Sequence, residues 1–290
     1  MKLGESFIKE LENIEVIIDP DHKQPLNLRE YLNSENTFGK YLEYEYDEYF
    51  SHSKFKDFQN VVDNTILSDN IKPELKGDIL ELGAGSCKFS AELSKIQDVK
   101  SITAVEFSKA MLTKVAPRVV LHLGGDISKI RFVVTDMHKS STFSDKKYDV
   151  ILFHSALHHV FLPLYQVNFW RDMLKEYGKI ICISEPAVSN FCLPTKKNKK
   201  WIRHQMHHQS RGNNENFYRA GFYKSIFTEF NDDFEFQYHT IPLTMSVSNS
   251  RLKVFIKKIF NKLKVYRWIG KLQRIAWFQP LSLNFIARKK

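Results

Sequence analysis

The sequence predicts an α/β protein: a doubly wound, mostly parallel seven-stranded sheet behind a helical N-terminal cap. Three observations carry this. From Ile79 to about residue 184, short runs rich in Ile, Val, Leu and Phe alternate with helical patterns, which implies parallel strands covered on both faces. Residues 77–88 read Gly-Asp-Ile-Leu-Glu-Leu-Gly-Ala-Gly-Ser-Cys-Lys. There an apolar run ends in an acid and passes through two closely spaced glycines into a helical pattern, as a buried strand does when it turns into a helix beside a nucleoside-type ligand. The apolar fraction of 43% in 290 residues is enough for a sizeable core, and the sequence has no run of about 18 uninterrupted apolar residues that would predict a membrane-spanning helix.

The elements follow in order. Residues 1–75 read as a mostly helical cap, with a tyrosine-rich stretch at Tyr41, Tyr44, Tyr46 and Tyr49 that packs on the sheet or walls a pocket. Residues 76–290 form the main domain. Strands are expected near 78–83, 101–107, 130–136, 148–154 and 178–184, with helices near 87–97, 108–121 and 163–177. Ser108 can cap the second helix, and Pro163 suits the first turn of the third. After Pro186 the alternation stops. Residues 187–214 are polar, a helix is expected near 215–230, and two more strands near 233–243 and 281–287. A basic helical insertion spans about 250–277.

Charge is unevenly placed. Residues 236–290 hold twelve Lys or Arg and no acid, whereas residues 1–50 hold five basic and twelve acidic side chains, so the basic character belongs to the C-terminal segment. Within 251–277, Leu252, Phe255, Ile256, Ile259, Leu263, Tyr266, Ile269 and Leu272 recur at helical spacing among lysines and arginines. This stripe packs on the core as a lid, lies on an anionic membrane surface, or mediates dimerisation, with core packing the default. Oligomeric state is left open. Cys87, Cys182 and Cys192 lack metal-ligand spacing, so no metal is expected. With no signal-peptide pattern at the N-terminus, the expected location is cytoplasmic, or peripheral at the inner face of a membrane if the basic stripe binds lipid.

The ligand can be narrowed. A dinucleotide fingerprint would need glycine at position 88, which is Lys88, and no phosphate-cradling Gly-Lys-Ser/Thr follows. The acids at successive strand ends are more specific: Glu81, then Glu106 in Ala-Val-Glu-Phe-Ser, then Asp136 in Val-Thr-Asp-Met-His, then the run His154-Ser-Ala-Leu-His158-His159. Over residues 76–190 these motifs resemble the class I S-adenosylmethionine-dependent methyltransferases. Cys87 stands where that family carries its third motif glycine. The resemblance implies a Rossmann-like sheet with an antiparallel last strand and S-adenosyl-L-methionine as cofactor. It assigns Glu81, Gly83, Ala84, Gly85, Glu106, Phe107, Asp136, Met137 and His154 to the cofactor, with Glu106 on the ribose and Asp136 and Met137 on the adenine.

The implied activity is methyl transfer to a small-molecule, saccharide or lipid-linked acceptor, at oxygen first. A hydroxyl acceptor profits from a base, and His158, His159 and His154 are the candidates because histidine titrates near neutral pH. Glu185 is expected one strand over, on the substrate side, together with Glu215 and Tyr218. Nucleic-acid methylation is the runner-up. The basic tail could track phosphates, but the fourth strand lacks the Asn/Asp-Pro-Pro-Tyr/Phe tetrapeptide and no nucleic-acid module is appended. A silent S-adenosylmethionine-binding protein is the third reading.

Overall fold

The computed structural model describes residues 14–19, 62–63, 65–138, 142–188, 190, 216, 218–229, 233–239, 268 and 281–290. Among these residues nine strands form one sheet: β1 (Val16–Ile18), β2 (Gly77–Leu82), β3 (Val99–Glu106), β4 (Ile130–Val134), β5 (Tyr148–His154), β6 (Leu174–Val188), β7 (Tyr218–Arg219), β8 (Phe234–His239) and β9 (Leu281–Lys289). Their order is β1-β4-β3-β2-β5-β6-β9-β8, with β7 beside the end of β6. All neighbours are parallel except β9, which runs antiparallel to both β6 and β8. The Rossmann-like α/β sheet and its antiparallel last strand are therefore present.

Two strands exceed the seven expected. Val16–Ile18 is a β-branched run that extends the sheet beside β4, where a helical cap was expected; branching at Cβ favours the pleated conformation. Tyr218–Arg219 pairs with the end of β6, so the helix expected from about 215 begins only at Ala220. Most of the proposed cap, the Tyr41–Tyr49 stretch, most of 187–214 and all of 251–277 except Trp268 lie outside the described residues.

Among the described residues, four α-helices cover the sheet: α1 (Lys88–Ser94), α2 (Ala116–His122), α3 (Pro163–Met173) and α4 (Ala220–Thr228). A single π turn, Met111–Val115, precedes α2. Pro117 has no N–H to donate, which fits a widened turn just before it. The Ser108 hydroxyl accepts the Met111 N–H at 3.2 Å. Pro163 opens α3, which stops at Met173, four residues short of expectation. Leu174 already pairs with Tyr148, and the left-handed Tyr177 kinks the entry to β6.

Alternate strand residues build the two cores. Leu80, Leu82, Val105, Ile151 and Phe153 face Trp170 of α3 and Tyr223 and Phe227 of α4. Ile79, Ile102, Ala104, Val150 and Leu152 face Phe89 and Leu93 of α1, Leu112 of the π turn and Val120 of α2. Strands buried on both faces have near-continuous apolar sequences, so the polar groups at their carboxyl ends stand out.

Candidate active site

The chain crosses from one half of the sheet to the other between β2 and β5, which are hydrogen-bonded neighbours. In doubly wound sheets such a switch point opens a crevice at the strand carboxyl ends. Here the ends of β2 to β6 carry Glu81, Glu106, Asp136, His154 and Glu185. Strained backbone gathers at the same edge: Cys87, Ser155, Leu162 and Ser184 all have φ between 48° and 58°, a region that residues with a Cβ enter only when their surroundings enforce it.

The cofactor half is built around the glycine turn. The Gly83 and Ala84 N–H groups donate to the Val105 carbonyl at 3.0 and 2.9 Å, which binds the turn to β3. The Gly85 N–H donates to Glu106 Oε2 at 2.9 Å, and the Ser108 N–H to Oε1 at 3.1 Å. Glu106 is thus buried and aimed by its own loop, with Phe107 half-buried beside it. Burial pushes its carboxyl up, against the pull of the Ser108, Gly85 and Phe107 N–H groups and of the His159 ring. Glu81 is also buried and accepts a hydrogen bond from the Ser90 hydroxyl. Burial, with repulsion from Glu106, pushes the Glu81 carboxyl up to about 7. Cys87, in place of the motif glycine, adopts the left-handed conformation (φ 57°) at the N-cap of α1, so the turn survives the substitution. Its thiol is fully buried and pushed well up by burial.

Asp136 accepts both the N–H and the Nδ1–H of His138, at 2.9 and 2.5 Å. His138 Nε2 accepts the Phe161 N–H at 2.8 Å. The two bonds fix the tautomer and tie the loop after β4 to the loop after β5. Met137 is half-buried against the core.

In the other half, the His154 ring lies 3.7 Å from the Phe89 ring, centroid to centroid. Burial, with Lys88 and against Glu185, brings His154 down to about 4. It is neutral above that pH. His158 and His159 follow on one turn, their rings 4.1 Å apart. The main correction concerns Glu185. Expected to face substrate, it is instead fully buried, with both oxygens committed to the 156–158 turn. Oε1 accepts Ala156 N–H at 2.9 Å and Leu157 N–H at 3.0 Å; Oε2 accepts His158 N–H at 3.2 Å and faces His158 Nδ1 at 3.0 Å. Burial pushes this carboxyl up, but the His158 ring and the backbone donors outweigh it and hold it low. An ionised Glu185 requires the proton on Nδ1, which leaves Nε2 as the basic nitrogen of His158. Tyr218 is half-buried, its ring 4.5 Å from that of Phe222 and 5.6 Å from that of Tyr223, and burial raises its hydroxyl pKa. Glu215 lies outside the described residues.

The family profile described as a methyltransferase domain matches residues 80–182, a segment that includes Glu81, Glu106, Asp136, His154 and His158 but not Glu185 or Tyr218. Residues 80–182 are a class I S-adenosylmethionine-dependent methyltransferase domain. Solved structures share its fold. A chain of the Haloferax volcanii complex that contains the Trm112 methyltransferase activator is 14% identical, with a TM-score of 0.52 over 84% of this chain and 97% of that one. Haemonchus contortus phosphoethanolamine N-methyltransferase 2, in complex with phosphomonomethylethanolamine and S-adenosylhomocysteine, is 15% identical, with a TM-score of 0.50 over 85% of this chain and 60% of that one. No curated protein sequence matches the chain.

The residues of the methyltransferase domain fit S-adenosylmethionine. A Cβ built on Gly83 would come within 2.7 Å of Ala156 Cβ, so this glycine is needed for packing. A Cβ built on Gly85 meets nothing within 4 Å and points into open space beside Glu106. Two buried carboxylates without a lysine or arginine partner among the described residues suit a ligand that brings hydroxyls and positive charge. Sequence reasoning missed Ser90, His138 and Asn216, whose N–H and Nδ2 both donate to the His158 carbonyl, at 3.2 and 3.0 Å. His138 was visible in the Asp-Met-His run, but its partner Phe161 lies 23 residues on.

Proposed function

We propose that the protein transfers the methyl group of S-adenosylmethionine to a hydroxyl oxygen of a small-molecule, saccharide or lipid-linked acceptor. His158 is the general base and Glu185 sets its tautomer. When bound, the cofactor supplies an electrophilic methyl group on a good leaving group. Glu106 accepts the ribose hydroxyls, Asp136 and Met137 border the adenine, and the Glu81 carboxylate faces the methionine end. The observation that carries the acceptor reading is the His158–Glu185 pair. A neutral amine or a thiolate is already nucleophilic, whereas a hydroxyl gains from a base that removes its proton as the oxygen–carbon bond forms. A buried carboxylate fixed by three backbone donors is a rigid support for such a base.

The test supplies methyl-labelled S-adenosylmethionine with a panel of phenols, saccharides and polyprenyl-linked sugars, and with tRNA and duplex DNA. The reading predicts label on oxygen of a non-nucleic-acid acceptor. With that acceptor, His158→Gln should lower turnover by about 10²- to 10⁴-fold. Label appearing only in nucleic acid, or unchanged turnover in His158→Gln, contradicts it.

A further inference from the structure

Glu185 reaches the His158 turn only because β6 is irregular. Side chains in a strand alternate between faces, so residues an odd number apart should face opposite ways. Cys182 and Ala187 are five apart, yet both belong to the core beneath α3 and α4. The register against β9 explains this. Cys182 pairs with Phe285 and Glu185 with Leu283, so three steps on β6 oppose two on β9. The extra residue makes a bulge, and Ser184 within it takes a left-handed φ of 58°. Such bulges re-aim the side chains that follow. Here the bulge turns Glu185 onto the face of Cys182 and Ala187, toward the 156–158 turn; regular alternation would aim it at the opposite core.

A bulge also removes a backbone donor from the ladder, and a buried donor must find another acceptor. The Ser184 N–H donates to the side-chain Oδ1 of Asn284 at 3.0 Å. Asn284 is the one polar residue in the buried run Leu283–Ala287 of β9 and is 4% exposed.

We infer that Asn284 is a positioning residue of the active site: by accepting the Ser184 N–H it holds the bulge that delivers Glu185 to His158. Its catalytic meaning rests on the reading of His158 as the base; the geometric claim does not. The Nδ1–H of an imidazole bonded to a carboxylate gives a low-field proton resonance, which can be assigned to His158 by its loss in His158→Gln. In the ¹⁵N-labelled full chain this resonance should be present in the wild type and retained in Asn284→Asp, which keeps an oxygen acceptor. It should be lost in Asn284→Leu, which keeps the size and removes the acceptor. S-adenosylhomocysteine, measured by calorimetry, should bind Asn284→Leu within about twofold of wild type, because the cofactor acids are remote from β9. A resonance unchanged in Asn284→Leu, or lost equally in Asn284→Asp, overturns the inference. Should Asn284→Leu fail to fold, hydrogen exchange of the Ser184 amide in the wild type decides: protection is expected, and exchange at the rate of an exposed loop overturns the inference. If turnover survives in His158→Gln while the resonance behaves as described, the base reading fails and the role of Asn284 in positioning Glu185 stands.

Discussion

The two edges of the sheet use acidic residues in opposite ways. At the amino edge Asp78, Asp149 and Glu74 meet cations. Asp78 bonds Lys146 at 3.1 Å and Lys175 at 2.9 Å, Asp149 bonds Lys175 at 2.7 Å, and Glu74 holds Lys179 at 2.7 Å and Arg288 at 3.0 Å. At the carboxyl edge Glu81, Glu106 and Glu185 are buried and meet a hydroxyl, backbone N–H groups or an imidazole. The first arrangement closes the end of a sheet. In the second, Glu81 and Glu106 meet no lysine or arginine among the described residues, and Glu185 is held against His158.

This contrast can be broken by mutation, with effects that decrease in order. The largest is the loss of turnover in His158→Gln. Next is Glu106→Ala. It removes the carboxylate proposed to take two ribose hydroxyls and leaves the Gly85 N–H without its acceptor. Charged hydrogen bonds contribute about 1.5–3 kcal/mol each, so S-adenosylmethionine affinity should fall by roughly 100-fold in a calorimetric titration.

A smaller effect separates the edges by pH. The ordinary value for Glu81 is 4.5, and in the folded chain it is about 7. Between these values the folded state keeps a proton that the unfolded state has released, so stability falls as pH rises across that window. Glu81→Gln should flatten this slope in denaturant titrations and stabilise the ligand-free protein by roughly 2 kcal/mol above pH 7. The amino edge has the opposite sign. Burial of Asp78 is outweighed by its bonds to Ser101, Lys175 and Lys146, which hold it well below its ordinary 3.8. Its stabilisation is present above that value and is lost as pH falls toward the lowered folded value. Because Lys146 and Lys175 are well exposed, solvent screens the pairs, and Asp78→Asn should cost only about 0.5–1 kcal/mol at pH 7, less in high salt. Its S-adenosylmethionine affinity should not change.

The edges also differ in how far sequence reveals them. The seven longer strands were legible as apolar runs or, in β8 (Phe-Glu-Phe-Gln-Tyr-His), as an alternation of apolar and polar residues. The three residues of β1 and the two of β7 are too short for any periodicity to declare them. Glu81, Glu106 and Asp136 were legible because each directly ends or follows such a run. The role of Glu185 was not. It depends on one left-handed serine and on an asparagine 100 residues away, and neither leaves a mark in local pattern. Cys87 was legible only as a departure from the glycine motif; its backbone conformation shows that the position demands a left-handed turn more than it demands glycine.

The most direct test is a calorimetric titration of S-adenosylmethionine into the full chain and into Glu106→Ala and Asp78→Asn at pH 7. The account predicts one site per chain in the wild type, the same affinity in Asp78→Asn, and a loss of roughly 100-fold in Glu106→Ala. No binding to the wild type, or equal affinity in all three proteins, contradicts it.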